Sequence, residues 1–367
     1  MTEAARSVRD WNFIIHRSSE HFILPLVFRS LSQLPPGTIP ESILKDLKQR
    51  AKSFIMHSLQ IASEQAKFSD SILRKYEIPH AFMKGQALAG CYYQNPGERY
   101  CRDIDLLVDQ ENVVKVAELA QTLGYRVYPY QHDLSRRDLI AAANFNPVLC
   151  LVRPTRVLIE VHSKLDKTDL IFDTRTLLAS TQERNVHRMP LAVLPMTAHF
   201  VFVCLHSVRH LWSHLNWLVD LDAMIRHPEF DEDRVLDTSR EAGVESTVRA
   251  CLELYWECVR PNFRRSRLSE HARDLYDVLF IHIEKGPDAE FTLRKGRSFP
   301  DFSFEWQASN DYKRRVRRKG KLSFLTPTFR DYQALPLPRS LHWLYYLTRP
   351  FSAVFRRGAS GGSSDRD

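Results

Sequence analysis

Apolar and polar positions follow three regimes along this chain. From 7 to 34 the apolar residues recur at helical spacing (Val8, Trp11, Ile14, Ile15, Phe22, Leu24, Leu26, Val27) and stop before Pro35-Pro36-Gly37, predicting one or two helices. Pro40 opens a long amphipathic stretch to about Tyr76, with Ile43, Leu47, Ala51, Phe54, Leu59, Ala62, Ala66, Phe68, Ile72 and Leu73 as its core face. The period then shortens. An apolar run over 77–83 ends at Lys84-Gly85, a helical segment runs through Ala87 to Tyr92, and a loop from Asn95 to Arg99 leads into a second strand-like run, Asp103-Ile104-Asp105-Leu106-Leu107-Val108. Residues 111–123 form an amphipathic helix stopped by Gly124, and 125–128 read as a strand. Two apolar runs, 147–152 and 157–162, flank Arg153-Pro154-Thr155-Arg156 as a hairpin. Beyond His162 the pattern turns helical almost to the end, with one long helix from Thr197 through 225.

The strand period places chemistry on one face. Side chains alternate along a strand, so Asp103 and Asp105 point the same way while Ile104 and Leu106 enter the core. Two carboxylates on one face repel unless a cation lies between them, and hard divalent cations take carboxylate oxygens. In the later hairpin Glu160 shares a face with Leu158 and His162, an acid among apolar residues that a metal or another cation would relieve. A turn after one strand, two same-face acids on the next and a third acid on a later strand suit metal-assisted phosphoryl chemistry. Plainer readings stand beside this one: an edge strand with an acidic solvent face, or Glu160 paired with Arg153 or Arg156. Arg99 either clamps a phosphate or shields the two aspartates. His206 and His210, one turn apart beside Trp212 and Trp217, are either near a substrate or hydrogen-bonded at the core edge. Asp220 and Asp222 either cap or pair with local arginines.

Composition changes the picture little. The 367 residues are 44% hydrophobic and 26% charged, ordinary for a globular chain with a sizeable core. Twelve Gly and 19 Pro favour long helices and short loops. A formal charge of +8 favours anionic partners, although much of it sits in Lys313 to Lys319, which could meet an anionic surface such as nucleic acid or membrane. The six cysteines show no C-x-x-C spacing and read as reduced core residues. No apolar h-region opens the chain and no stretch is long enough to span a bilayer, so the expectation is a cytoplasmic protein, peripheral to a membrane at most through its C-terminal segment.

The ordered motifs MKGQALAGCYY, PGERYCRDIDLLVD, LAQTLGYRV, VLIEVH and LHSVRHLWSHLNWLVDLDAMI resemble the uncharacterised nucleotidyltransferase family of the DNA polymerase β-like superfamily over roughly residues 20 to 230. That resemblance implies an α+β fold: a polymerase-β-like nucleotidyltransferase core with a small mixed sheet, flanked by N-terminal helices and a C-terminal helical region. It implies Mg²⁺ or Mn²⁺ held by Asp103, Asp105 and Glu160, which would also be the catalytic carboxylates, with Glu160 as base or ligand. It places Lys84, Gly85, Gln86 and Arg99 toward the phosphates of a nucleoside triphosphate such as ATP, and His162, His206 and His210 near the substrate. Many superfamily members carry Gly-Ser or Gly-Gly at the turn, whereas here Gly85 is followed by Gln86. The acceptor is open: a small molecule, a peptide, a protein or an RNA.

The expected division is an N-terminal helical region (1–74), the core (75–165), a C-terminal helical domain (166–300), a basic and aromatic extension (301–357) and a disordered tail (358–367). Two other functions fit the same residues. A non-catalytic module on this fold would bind a nucleotide or partner without turnover. A D-x-D glycosyltransferase would need a doubly wound sheet upstream of the acids.

Overall fold

The structure is a computed structural model that describes all residues except 154–156, 167–170, 187–188, 261, 296–303, 323–324 and 350–367. The expected tail, the end of the C-terminal extension and the Arg156 alternative therefore lie outside the described residues. Helices Trp11–Glu20, Leu24–Ser32 and Glu41–Phe68 precede the first strand. Seven strands follow: β1 (His80–Phe82), β2 (Asp103–Val108), β3 (Arg126–Val127), β4 (Val148–Val152), β5 (Leu158–His162), β6 (Gln182–Val186) and β7 (Met189–Val193). They form one mixed sheet in the order β3-β4-β5-β2-β1-β7-β6. No strand precedes β1 among the described residues, so the doubly wound sheet that a glycosyltransferase would need upstream of the acids is not seen.

The alternation read from the sequence decides which side chains go where. Phe82, Ile104, Leu106, Leu149, Leu151, Ile159 and Val161 join one core with Ile61, Phe68 and Ile72 of the N-terminal helices and Val113, Val116 and Ala117 of helix Gln110–Thr122. Ala81, Met83 and Leu107, on the opposite face, meet Leu165, Leu177, Leu194, Ala198 and Phe202. The sheet is thus covered by apolar side chains on both faces, and each fully buried Leu, Ile, Val or Phe contributes roughly 1.5–3 kcal/mol.

Helix Met196–Arg209 is apolar all round because it is buried from two sides. Ala198 and Phe202 lie in the layer under the sheet, while Phe200, Val203 and Cys204 join the helical core built with Trp217, Leu221, Val248, Leu252 and Leu275.

Two expectations need correction. The region after His162 is not wholly helical: the hairpin β6–β7 extends the sheet through β7, parallel to β1, and carries it beyond residue 165. Its outer strand reads Gln-Glu-Arg-Asn-Val and is mostly exposed, so it lacks the apolar run that announces an interior strand. Charged edge strands of this kind also resist pairing with other chains. The long helix from Thr197 is broken as well, into Met196–Arg209 and Asn216–Ile225. The break comes at Leu211 and Trp212, both in the left-handed region (φ 51°), where the Trp212 amide donates back to the Ser207 carbonyl at 2.8 Å. A fully buried Trp212 side chain holds a turn that neither Gly nor Pro signals.

At the C-terminal side, helix Asn310–Leu322 buries Tyr312 and Val316 and turns Arg314 and Arg315 outward, while Arg317 pairs with Glu305 at 2.6 Å. Trp343, Tyr346 and Leu347 are exposed further on. No helix among the described residues is long and apolar enough to cross a membrane. All six cysteines are free thiols.

Candidate active site

Strand register assembles the site. β2 and β5 run parallel with Asp105 opposite Glu160, and β4 runs antiparallel to β5 with Cys150 opposite Glu160 and Val148 opposite His162. Asp105, Glu160 and His162 each offer a ligand atom within 4.8 Å of the other two, the arrangement a single metal ion needs. His162 Nε2 stands 3.3 Å from Asp105 Oδ1 and 3.3 Å from Glu160 Oε2. Asp103 lies on the same strand face as Asp105 but is not one of these three. The set expected from the sequence was Asp103, Asp105 and Glu160; the structure brings His162 into the close group and leaves Asp103 beside it at the head of β2.

Lys84 is the nearest cation. Its Nζ is 2.8 Å from Asp105 Oδ1, with the Lys84 side chain 19% and the Asp105 side chain 1% exposed. The local backbone forces that position. The Met83 amide continues the ladder by donating to the Asp105 carbonyl at 3.1 Å, so the next residue emerges beside the acid. Gly85 then takes φ 57°, ψ −122°, and a Cβ there would stand 3.3 Å from the Asp103 carbonyl oxygen. Only glycine makes that turn without strain.

The electrostatics follow from burial and neighbours. Burial and then the charge of Asp105 push the Asp103 carboxyl up to about 6. Burial would also raise Asp105, but Lys84 and His162 outweigh it and hold that carboxyl below the usual range. The His162 imidazole is raised, since its two carboxylate neighbours overcome the loss of solvent. Lys84 is raised for the same reason, with Asp105, Asp103 and Glu160 all acting on it against burial. Both Asp105 oxygens and His162 Nε2 are buried without a hydrogen-bond partner in good geometry, so the Lys84 contact is an ion pair and the oxygens retain unused lone pairs. Buried carboxylate oxygens in that condition, next to a second carboxylate and an imidazole, fit a divalent cation.

The acids open onto a cleft of about 530 Å³. Helix Met196–Arg209 and the turn after it supply the far wall: Phe202, His206 and Arg209 share one helical face, and His210, His214 and Trp217 follow. Both histidines of the H-x-x-x-H pattern line the cleft, their ring centroids 4.7 Å apart. Burial, then Lys84 and His210, lower the His206 imidazole well below its usual range. His210 Nδ1 is 3.4 Å from Glu290, which Arg294 also holds.

Two residues expected near the phosphates point elsewhere. The Gln86 amide lies in the core and donates to the Ser58 carbonyl at 3.1 Å. Arg99 reaches the cleft wall, but its guanidinium grips Asp220 through Nε (2.7 Å) and Nη2 (2.8 Å) and donates to the Gly85 carbonyl at 3.3 Å. Asp220 is therefore the partner of a distant arginine and not of a local one; Asp222 pairs with its local Arg226. Arg153 meets Glu64 at 3.9 Å and lies over the Tyr125 ring, so it is not the counter-ion of Glu160.

Other cleft residues gave no sign in the sequence. Phe22 stacks on His214 (centroids 4.5 Å) with the Arg102 guanidinium 4.8 Å from its ring, and holds φ 59°. It comes from the N-terminal helices because fully buried His21 anchors that segment: Nε2 donates to the His282 carbonyl at 3.1 Å, and Nδ1 accepts from the Leu215 amide at 3.3 Å. Tyr100, Arg102 and Arg209 are likewise unforeseen. Arg102 directly precedes the acids, which is the one sequence signal any of these carries. Among the described residues no carboxylate pairs with Arg102 or Arg209.

The sequence matches the family described as uncharacterised nucleotidyltransferase over residues 7–260, which takes in the N-terminal helices, the whole sheet and the helices that close the cleft. No curated protein matches it. With the paired acids, the later E-x-H strand and the H-x-x-x-H helix meeting at one cleft inside the matched region, the chain belongs to the uncharacterised nucleotidyltransferase family.

Proposed function

We propose that this protein transfers a nucleoside monophosphate from a nucleoside triphosphate, ATP first among them, to an acceptor hydroxyl or phosphate with release of pyrophosphate, and that it needs Mg²⁺ or Mn²⁺. The observation that carries the reading is the convergence of Asp105, Glu160 and His162, with Asp103 on the same face, at the base of an open cleft. Asp105 and Glu160 would hold the cation, with His162 and Asp103 completing its surroundings. When bound, such a cation neutralises the triphosphate and stabilises charge growing on the leaving pyrophosphate.

The chain's own groups do the rest. Lys84, Arg102 and Arg209 are cations of the cleft lining that can take phosphate oxygens, and arginine forks suit that task. Glu160, 28% exposed against 1% for Asp105, is the carboxylate an acceptor can reach, and it takes the acceptor's proton. The Gly85 turn keeps the backbone close to β2, so phosphates approach the acids without a side chain between them.

The test is label transfer. Wild type incubated with Mg²⁺, each α-³²P-labelled nucleoside triphosphate and separated small-molecule, peptide, protein and RNA fractions is expected to label one fraction, and Asp105→Asn to label none. No label from any pair, or equal label with the variant, would remove the assignment.

A further inference from the structure

The most buried acid of this site already holds a positive charge, and that charge belongs to the chain. Lys84 Nζ lies 2.8 Å from Asp105 Oδ1, and Asp103 and Glu160 line the same cleft. The ladder bond from Met83 and the Gly85 turn leave the lysine backbone no other course, while the side chain has four carbons of freedom. An ammonium that is strongly hydrated in water has been drawn into a nearly closed position, and its opposite face is the cleft.

A divalent cation on Asp105 and Glu160 would stand at contact distance from that ammonium. Like charges so close in a buried site repel strongly, which favours displacement of the one that can move. The carboxylates stand on paired strands with short side chains, whereas the longer Lys84 side chain can swing into the cleft, which Arg102 and Arg209 also line, without any backbone change.

We propose that Lys84 is a built-in stand-in for the divalent cation: it neutralises Asp105 when no metal is bound, and metal loading releases it into the cleft, where it meets the nucleotide's phosphates. Metal and nucleotide then favour each other's binding, because each rewards the same movement of one side chain. The exchange between lysine and metal stands on the site's geometry; the nucleotide half rests on the transferase reading above.

The exchange makes an unusual demand on a lysine variant. Removing a residue that merely supports the site weakens metal binding, but removing a competing cation strengthens it. Free Mn²⁺ measured by electron paramagnetic resonance, without nucleotide, is expected to show Lys84→Met binding Mn²⁺ at least tenfold more tightly than wild type, with Lys84→Arg no tighter than wild type. If Lys84→Met unfolds in EDTA because Asp105 is left unpaired, its thermal midpoint is expected to recover in excess Mg²⁺. A second readout needs no variant. Acetylation of Lys84 in the wild-type chain by a water-soluble succinimidyl ester, followed by peptide mass spectrometry, is expected to rise several-fold on adding Mg²⁺, with exposed Lys115 as the unchanged reference. Equal or weaker Mn²⁺ affinity in Lys84→Met, or Lys84 equally protected with and without Mg²⁺, would overturn the exchange while leaving the transferase reading intact. Absence of any Mn²⁺ binding by wild type and by Lys84→Met alike would bring down both.

Discussion

Arg99 and Asp220 meet as a buried fork, Nε to Oδ1 at 2.7 Å and Nη2 to Oδ2 at 2.8 Å, with side-chain exposures of 5% and 1%. The Tyr93 hydroxyl adds a third bond to the same carboxylate at 2.6 Å. This contact fastens the segment that leads into β2 to helix Asn216–Ile225, and so holds the cleft's two walls at a fixed spacing. A phosphate clamp would leave the guanidinium facing the opening; here it is a brace.

Breaking one side of a buried pair leaves the other charge unpaired, at a cost of about 3–5 kcal/mol. Asp220→Ala is therefore expected to lower unfolding stability by that amount in urea titrations. A loss below about 1 kcal/mol would mean that Arg99 is free to serve a ligand instead.

Asp103 carries a signed pH effect. Its carboxyl is raised from 3.8 to about 6 by burial and by Asp105, so the folded chain keeps this proton after the unfolded chain has lost it. Stability from this group falls as pH climbs through that window and stays low above it. The penalty is about 3 kcal/mol at pH 7.5. Asp103→Asn in EDTA should then melt higher than wild type at pH 7.5, with the gap closing near pH 4. A lower melting point for the variant at pH 7.5 would contradict the assignment.

Arg209 is a half-exposed cleft cation on the wall facing the acids. Arg209→Gln is expected to raise KM for the nucleoside triphosphate about tenfold, the weight of one charge-assisted contact of about 1.5 kcal/mol, while kcat changes little. Steady-state kinetics at two salt concentrations check this, since the wild-type advantage should shrink with salt. An unchanged KM would place the phosphates elsewhere.

Much of this site was legible because it lies on strands. Period-two alternation put Asp103 with Asp105 and Glu160 with His162, and the hairpin of residues 147–162 follows from two apolar runs around a polar turn. Alternation fixes a face, not a position along it, so it could not say that His162 would join Asp105 and Glu160 more closely than Asp103 does. The cleft's far wall was hidden for other reasons. The turn at Leu211 and Trp212 has no glycine to mark it. Phe22 arrives through His21, whose hydrogen bonds reach across 261 and 194 residues of sequence. β6 was missed because an exposed edge strand has no core face to read, although Gly90 lies so near Val186 that a Cβ would come within 2.0 Å of it. The destination of Arg99 was equally beyond local pattern, since Asp220 is 121 residues away.

Nucleotide transfer by this cleft depends on a divalent cation lodging between β2 and β5. Crystals grown with Mn²⁺ and a non-hydrolysable nucleoside triphosphate analogue test that directly through the anomalous scattering of manganese. The predicted result is a peak in coordinating contact with carboxylate oxygens of Asp105 and Glu160, bridging to the analogue's phosphates, with Lys84 turned away from Asp105. A map with bound analogue but no manganese at those carboxylates would contradict it, whereas manganese bound there with the lysine still against Asp105 would contradict the lysine exchange alone.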